Sequence, residues 1–535
     1  MKTYIKALFA LPIVFTSCSD FLDRAPADAL SPSTFWKTEK DASLALTGCY
    51  NGFESGSTIL YRDCGSDNAY NFHRHEGWQV IGNGQMTQSD TGAGTFSFGT
   101  IRRCNEFLEN VEKVTFTTQG LKEQYTSEAR FIRAYRYFIM TQSYGDVPLV
   151  TRVFQTPQEA EVPRDSKETV EQFIIDELKA IIDGNALKKG PGTGGRISHA
   201  AAQALLMRVY LFKGMYAEVK DIANQITGYS LFNNGEGAYN NLFLMSNESN
   251  DEAILEIEHI KSDYGMSFGA YTPNSAGGWS SIVPLQTLVD TYEMADGLTI
   301  EEAKAAGTYV ESNPYVNRDP RLAATIVYPG QVYNGKVFSP VISGNDDHPA
   351  KANNSTKTGY NFKKYINPID QYDDMWNTGR NIMVIRYAEV LLSKAEAMIE
   401  LNLINDEMYA AIDAVRQRAG MPAVDRSKYN SQDKLRQLIR RERRVEFAYE
   451  GMRRFDIIRW NIAKDVLNGK VYGCRQAGNE NPILDETYPN GDHKLNLQGE
   501  PFFVETRTFA EHNRYLPLSQ SSLDKNPKLV QNSGY

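Results

Sequence analysis

The sequence predicts a mostly α-helical protein, in which tetratricopeptide-like (TPR-like) helical hairpins form a superhelical scaffold with long irregular loops and a few short strands. Two observations favour this class. Residues 198–212 and 215–226 have the pattern of two helices with Gly214 at the corner, and small residues alternate with large ones, as close antiparallel packing requires. Residues 385–401 and 406–418 repeat this design in more divergent form.

Apolar periodicity predicts the remaining helices and strands, and its absence predicts the loops. Apolar residues recurring at three and four positions predict further helices, the first of them around residues 42–50, after a Pro/Ser-rich tether. The other predicted helices cover residues 101–114, 127–144, 169–182 and 435–450, and short strands are predicted at 253–260 and 324–328. Residues 52–99 and 264–283 are rich in Gly, Ser and Asn with scattered aromatics. They predict long loops, which in compact proteins usually carry function.

The composition is that of a soluble globular protein, and its charge argues against a nucleic-acid binder. The chain has 535 residues and a net charge of −9. Because phosphate binding needs a basic face, and no run of Lys or Arg here lacks interleaved acids, we expect no nucleic-acid partner. The 30 tyrosines are a surplus of rings with an apolar face and a polar edge, which suits an amphipathic ligand such as a sugar.

The N-terminus has the pattern of a lipoprotein signal. Lys2 and Lys6 flank the short apolar run 7–15, which is too short to span a bilayer. Small residues then precede Cys18, as at a bacterial lipoprotein processing site. We therefore expect residues 1–17 to be a signal peptide and Cys18 to be lipidated, with a plain secretory signal or a buried thiol as the alternatives. Several acyl chains on one cysteine would anchor the protein stably.

The four other cysteines predict neither a disulfide framework nor a zinc site. Cys49, Cys64, Cys104 and Cys474 follow the spacing of no small disulfide scaffold, and a core of this size needs no covalent cross-links. The chain contains no CxxC pair. Free and mostly buried thiols are the expectation.

The segment 439–460 is the densest mixture of charged and apolar residues. Glu442, Glu446 and Glu450 form an i, i+4, i+8 stripe on the predicted helix 435–450, with Gly451 expected just past its end. The arginines crowding this stripe are 440, 441, 443, 444, 453 and 454. Because adjacent guanidinium groups keep a carboxylate ionised, we expect a partly buried ionic lattice that locks helix to helix, rather than a glycosidase-like carboxylate pair.

Three local motifs resemble catalytic signatures without their required context. Residues 190–195 satisfy GxGxxG but follow a helix, and residues 265–269 satisfy GxSxG but cannot be followed by a helix. His75-Glu76 begins an HExxH pattern that lacks its second histidine. His73 and His75 could share a metal, although exposed loop histidines are more often unliganded. We expect no catalytic residues, no cofactor and no metal.

Several segments together resemble the SusD/RagB family of nutrient-uptake lipoproteins. The matching segments are residues 35–36, 45–50, 128–135, 144–149, 318–321, 385–397, 415–420, 439–460, 513–517 and 526–535. They follow the family's order over nearly the whole mature chain. The resemblance implies an N-terminal half at 18–230 and a C-terminal half at 231–535.

The resemblance also implies a function. It is that of a lipoprotein at the outer membrane of a Gram-negative bacterium, facing the cell exterior, which binds an oligosaccharide or another nutrient. Its partner would be a SusC-like TonB-dependent transporter, and it would catalyse no reaction. Two alternatives stay open. One is a surface-anchored glycoside hydrolase or esterase, and the other is a TPR-type adaptor that binds only protein.

The candidate ligand site is found by subtraction among the tryptophans. Trp36 and Trp460 lie in scaffold motifs, which leaves Trp78, Trp279 and Trp376 in loop-like stretches. Their aromatic companions are Tyr70, Phe72, Tyr271 and Tyr372, and the polar candidates for binding hydroxyl groups are Asp67, Asn68, Arg74, Asn274 and Asp374. We expect Trp78→Ala and Trp279→Ala to weaken ligand binding without much loss of thermal stability. The alternative is that each ring fills a gap under its own loop.

Overall fold

The computed structural model describes residues 35–94, 96–191, 195–351, 354–366 and 368–535. Helices dominate this part of the chain, which confirms the predicted fold class. They are α1 (Glu39–Tyr50), α2 (Gly56–Tyr61), α3 (Trp78–Asn83), α4 (Gly99–Asn110), α5 (Leu121–Tyr144), α6 (Lys167–Gly184), α7 (His199–Lys213), α8 (Tyr216–Ala223), α9 (Ala238–Leu242), α10 (Gln286–Thr291), α11 (Ile300–Ala305), α12 (Pro320–Thr325), α13 (Tyr387–Glu400), α14 (Asp406–Arg418), α15 (Gln432–Glu446), α16 (Arg453–Arg459), α17 (Ala463–Val466) and α18 (Gln520–Lys525).

The strands are short, and each pairs with one antiparallel partner. They are β1 (Ala69–Asn71), β2 (Ala253–Ile257), β3 (Ile282–Pro284), β4 (Ile326–Val327), β5 (Val332–Tyr333), β6 (Lys336–Val337), β7 (Asn361–Phe362), β8 (Ile382–Arg386), β9 (Gly469–Arg475), β10 (Ile483–Thr487), β11 (His493–Leu495) and β12 (Pro501–Arg507). The pairs are β1 with β3, β2 with β8, β4 with β7, β5 with β6, β9 with β12 and β10 with β11.

The helical scaffold is a series of antiparallel neighbours. Helices α4 to α8 each pack on the next, and α8 then packs on α13, which contacts α14 and α15. The hairpin of α7 and α8 forms as predicted: Ser198 caps α7 by accepting from the backbone N–H of Ala201, and Gly214 turns the corner at φ 71°. Almost every residue of α7 is buried, so this helix lies at the centre of the scaffold.

Several predicted boundaries differ from those of the structure, and two of the differences have a clear local cause. Helix α15 ends at Glu446 and not at Glu450, because Lys364 donates to the carbonyl oxygens of Glu446 and Ala448 at 3.3 and 3.0 Å. The chain then turns through Tyr449 in the left-handed region at φ 61°. The predicted strand 324–328 starts too early, because its first two residues belong to helix α12, which Asp319 caps and Pro320 starts; the strand β4 covers residues 326–327 only.

The four cysteines of the described chain confirm the expectation of free thiols. Cys49, Cys64, Cys104 and Cys474 are all buried and unpaired by disulfides. Burial raises the pKa of the Cys474 thiol. Cys18 and the predicted signal peptide lie outside the described residues. Within the described ranges, no helix is both long and apolar enough to cross a lipid bilayer.

A buried ionic lattice joins α15 to the segments around it. Glu446, which is fully buried, accepts hydrogen bonds from Arg386 at 2.7 Å, from Arg321 at 2.9 Å and from Arg418. Glu442 pairs with Arg321 and Arg416, and Glu450 with Arg386 and Lys364. The predicted lattice is therefore present. The arginines that pair with the stripe come from α12, β8 and α14, and Lys364 adds one further cation; the nearby arginines at 440, 441, 443, 444, 453 and 454 have other contacts.

The lattice keeps its carboxylates ionised. Burial alone would raise the pKa of Glu446, but the positive charges of Arg418, Arg386 and Arg321 outweigh burial and lower it. The pKa values of Glu442 and Glu450 are lowered by the same balance. A carboxylate whose pKa is lowered on folding stabilises the protein above the unfolded-state pKa and loses that contribution as the pH falls.

We predict that Glu446→Gln lowers the free energy of unfolding at pH 7 by about 3–5 kcal/mol, because it leaves buried guanidinium groups without their counter-charge. Denaturant titrations from pH 7 to pH 3 check this. The difference between wild type and variant should shrink below the ordinary glutamate pKa of 4.5, where the unfolded chain takes up protons.

The matched control is Asp433→Asn on the same helix. Asp433 is 87% exposed in its ion pair with Arg436, so the loss should stay below about 1 kcal/mol. A Glu446→Gln variant as stable as this control would contradict the structural role of the lattice.

Candidate ligand-binding site

Two strand pairs bring together loops that are far apart in the sequence. In the first pair, Asn71 at the end of β1 lies opposite Ile282 at the start of β3. The loop that leaves β1 and the loop that enters β3 therefore meet at one edge. The side chain of Asn71 donates to the carbonyl oxygen of Ser281 at 2.8 Å and to Glu76 at 2.6 Å. Glu76 also accepts from the Ser281 hydroxyl at 3.0 Å, which fixes the two loops to each other.

The second pair brings in a third loop. Ile257 at the end of β2 lies opposite Ile382 at the start of β8, so the chain leaving β2 runs beside the chain entering β8. Met266 and Thr378 continue this pairing through two backbone hydrogen bonds of 2.8 Å. The backbone N–H groups of Phe268 and Gly269 both donate to the carbonyl oxygen of Met375. Residues 72–78, 264–281 and 372–380 therefore form one cluster of loops.

The exposed feature of this cluster is a pair of indole rings, Trp279 and Trp376. Their centroids are 4.7 Å apart and their planes are inclined by 61°. Trp279 is 43% exposed and Trp376 is 37% exposed, although both are large apolar side chains. Rings of this size are normally buried, so two adjacent exposed ones make this surface the candidate for a ligand site. We refer to them as the Trp279/Trp376 pair.

Hydrogen bonds position the backbone of both tryptophans, and Gly269 packs against the Trp376 ring. Trp376 lies directly over Gly269, where a Cβ atom would come within 2.3 Å of the indole carbons. The backbone N–H of Trp376 donates to the Asp374 carboxylate at 2.8 Å. The backbone N–H of Trp279 donates to the Gly269 carbonyl at 3.0 Å, and His73 Nε2 lies 3.3 Å from the Trp279 carbonyl oxygen.

Four of the predicted site residues are buried in structural contacts, which corrects their assignment. Asp67 forms ion pairs with Arg444 and Arg453, whose charges lower its pKa against the raising effect of burial. Three others are also inaccessible: Asn68 bonds to Asp63, Tyr70 accepts from Gln79, and Tyr271 is 1% exposed in the main core. Their polar groups already have partners, and a ligand could reach them only by displacing the scaffold.

Trp78 lies apart from the pair. It is half-buried against the main core at the start of α3 and lines a separate groove with Arg136 and Tyr144. Neither ring of the Trp279/Trp376 pair lines that groove. Because Trp78 packs partly against the core, truncation to alanine would open a gap there, and some loss of stability is expected in addition to any effect on binding.

The remaining predicted residues surround or support the cluster. Asp374 and Arg74 are exposed, and Arg74 pairs with Asp90 at 2.8 Å. Asn274 donates to the Asp346 carbonyl oxygen at 3.0 Å. Phe72 packs against the small core cluster of Tyr70, Val283 and Leu285, and the half-buried Tyr372 donates to the Tyr365 carbonyl oxygen at 2.7 Å. Phe72 and Tyr372 therefore support loops, whereas Asp374 and Arg74 are accessible to a ligand.

Three further residues that shape the site are not among those predicted from the sequence. Gly269 packs against the indole ring of Trp376, and His73 contacts the backbone of Trp279. The side chain of Asn377 accepts a hydrogen bond from the backbone N–H of Ser262 at 3.1 Å. The sequence pointed to His73 only as a possible metal ligand together with His75; the centroids of the two imidazole rings are 5.7 Å apart. Among the described residues, no group of three or more His, Cys, Asp or Glu side chains is placed to hold a metal ion.

Comparison with known proteins decides the family. The model described as "SusD family" matches residues 231–535, more than half of the chain, and that described as "Starch-binding associating with outer membrane" matches residues 20–211. The chain belongs to the SusD family. This confirms the resemblance seen in the sequence.

Similar proteins support the same assignment. A SusD-like protein of Bacteroides ovatus is 25% identical over 99% of this chain and 97% of its own length. The crystal structure of a SusD-like carbohydrate binding protein of Bacteroides fragilis is 29% identical, with a TM-score of 0.82 over 93% of this chain and 100% of that one. A second SusD-like structure from B. fragilis is 25% identical, with a TM-score of 0.77 over 96% of this chain and 100% of that one.

Proposed function

We propose that this SusD-family protein is a cell-surface lipoprotein that captures an oligosaccharide at the Trp279/Trp376 pair and delivers it to a SusC-like TonB-dependent transporter of the outer membrane. The pair is the observation that carries the proposal. Indole faces match the apolar faces of pyranose rings, and the accessible polar groups of Asp374 and Arg74 can bond their hydroxyl groups. A site of this kind can bind a sugar without any side chain whose pKa is shifted.

The relatives support the ligand class and the location. The similar protein of B. fragilis is described as carbohydrate binding, and the model that matches the N-terminal half is described by starch binding and association with the outer membrane. The transporter partner follows from the family resemblance and from a physical requirement: a glycan held outside the outer membrane needs a pore beneath it.

We infer that the bound glycan leaves unchanged. Glycosidase chemistry needs two accessible carboxyl groups, one of them with a raised pKa. This hypothesis rested on Glu442, Glu446 and Glu450, but their side chains are buried in ion pairs with arginines and their pKa values are lowered. This counts against the hydrolase alternative. The protein-only adaptor predicts no affinity for oligosaccharides, so a binding measurement separates it from the proposal.

Trp279→Ala and Trp376→Ala should each weaken binding of the oligosaccharide identified by glycan-array screening by about 1–3 kcal/mol, the scale of losing one stacked aromatic face. Isothermal titration calorimetry measures the affinity, and melting curves should show little change because both rings are exposed. The glycan recovered from the calorimeter cell after the titration should contain no new reducing ends.

Phe503→Ala is the matched control for these two variants. Phe503 is 57% exposed and pairs with Tyr472 at 6.1 Å between centroids, so it is an exposed aromatic pair outside the loop cluster. Its affinity should equal that of wild type. Full affinity in both tryptophan variants would disprove the proposed site.

The lipid anchor is tested at Cys18. Cys18→Ala should release the protein from membranes while leaving its melting temperature unchanged, because acylation requires the thiol and the cysteine lies on the predicted polar tether. Membrane fractionation of cells lacking the transporter measures this, with Ser17→Ala as the control that keeps a small residue before the cysteine. Membrane retention of the Cys18→Ala variant in those cells would refute the anchor.

The partner is tested by affinity purification from detergent-solubilised membranes. A TPR-like helical surface is a common protein-docking surface. We therefore expect a large β-barrel protein to copurify in near-equal amount. Recovery of the lipoprotein alone under gentle conditions would contradict delivery to a transporter, while leaving glycan binding intact.

A further inference from the structure

A second cavity lies on a different part of the molecule. It has a volume of about 580 Å³ and is enclosed by the start of α4, the segment 148–162 and the C-terminal helix α18. Apolar side chains form most of its wall. The main ones are Phe96, Phe98, Ile101, Val150, Phe154 and Leu529. This volume is in the range of small-molecule sites, and no residue of the Trp279/Trp376 loop cluster lines it.

The lining of this cavity is positively charged, although the chain as a whole carries a charge of −9. Arg102, Arg152 and Lys525 line it, and no Asp or Glu does so among the described residues. Arg152 is paired with Glu159 and lies 4.8 Å over the Phe154 ring. Arg102 and Lys525 are exposed, and the described part of the chain gives neither an ion-pair partner. Two cations are therefore free to bind an anion.

The first turn of α4 adds to this positive potential. Gly99, the first residue of the helix, lines the cavity, and the N-cap position is held by Phe98, whose side chain has no acceptor. The first turn contains no acidic residue. The N-terminal end of a helix carries a partial positive charge, which here has no side-chain carboxylate to balance it.

We propose that this cavity binds a small aromatic carboxylate. The aromatic body would lie among Phe96, Phe98 and Phe154, where it removes apolar surface from water. The carboxylate would lie at Arg102 and Lys525 beside the first turn of α4. The apolar wall and the cationic groups together match a ligand that has one apolar part and one anionic end. A neutral sugar or a cation could not interact favourably with both the apolar wall and the cationic groups.

The test compares two probes that differ only in charge, cinnamate and cinnamamide. Isothermal titration calorimetry with the full-length protein should give a dissociation constant for cinnamate at least five times lower than for cinnamamide. Arg102→Gln and Lys525→Gln should each raise the value for cinnamate severalfold and leave that for cinnamamide unchanged. Added salt should weaken cinnamate binding, because both cations are exposed.

Two further variants localise the binding. Lys528→Gln removes an exposed charge from the same C-terminal segment without touching the lining, and should bind cinnamate like wild type. Ala160→Trp places a large ring in the cavity from an exposed position and should abolish binding of both probes. Absence of cinnamate binding, equal affinity for the two probes, or full binding by Ala160→Trp would each overturn the proposal. None of these outcomes bears on glycan binding at the Trp279/Trp376 pair.

Discussion

The buried carboxylate of Glu446 is the point on which the rest of the structure depends. It receives guanidinium groups from three segments: Arg321 on α12, Arg386 at the end of β8 and Arg418 at the end of α14. Removing that many charges from water is costly, and the cost is offset only when every member has its partner in place. The lattice therefore enforces one mutual arrangement of four segments. Because Arg386 terminates β8, whose other end enters the loop of Trp376, the same lattice gives the binding loops a rigid base.

Local signals explain why the helical scaffold could be predicted from the sequence. The hairpin of α7 and α8 needs only an N-cap serine, a corner glycine and alternating residue sizes, all of which lie within 30 positions or so of each other. The glutamate stripe that begins on α15 could also be predicted from the sequence. Its ion-pair partners could not, because several other arginines lie closer to the glutamates in the sequence than the actual partners, which are Arg321, Arg386, Arg416 and Arg418. Closeness in the sequence does not predict the ion-pair partner of a carboxylate when that carboxylate faces a different segment of the fold.

The site was predictable as a region but not residue by residue. Tyr271 and Trp279 belong to the same loop and share its irregular composition, yet one is 1% exposed and the other 43%. The difference arises from long-range pairing: Asn361 donates to the Tyr271 carbonyl oxygen at 3.1 Å, and Trp279 follows the close contact of Gly278 with Thr272. No local pattern encodes which loop aromatic is held inside by a distant strand. Asp67 and Asn68 were misassigned for the same reason, because their partner Arg444 lies on α15.

The inclination of the two indoles constrains what they can hold. Rings whose planes meet at 61° with centroids 4.7 Å apart form a corner, not a continuous platform. A flat, extended chain of sugars would lie on one face and leave the other ring without a stacking partner. A bent chain, or a single sugar that presents a face to one ring and an edge to the other, would contact both. Gly269 packs against the Trp376 ring and the Asp374 carboxylate accepts from the Trp376 backbone N–H, so the orientation of this ring is constrained before a ligand binds. In the proposed function, selectivity would therefore come from the shape of the glycan, and the polar groups around the rings would act on the hydroxyl groups of whichever sugar fits.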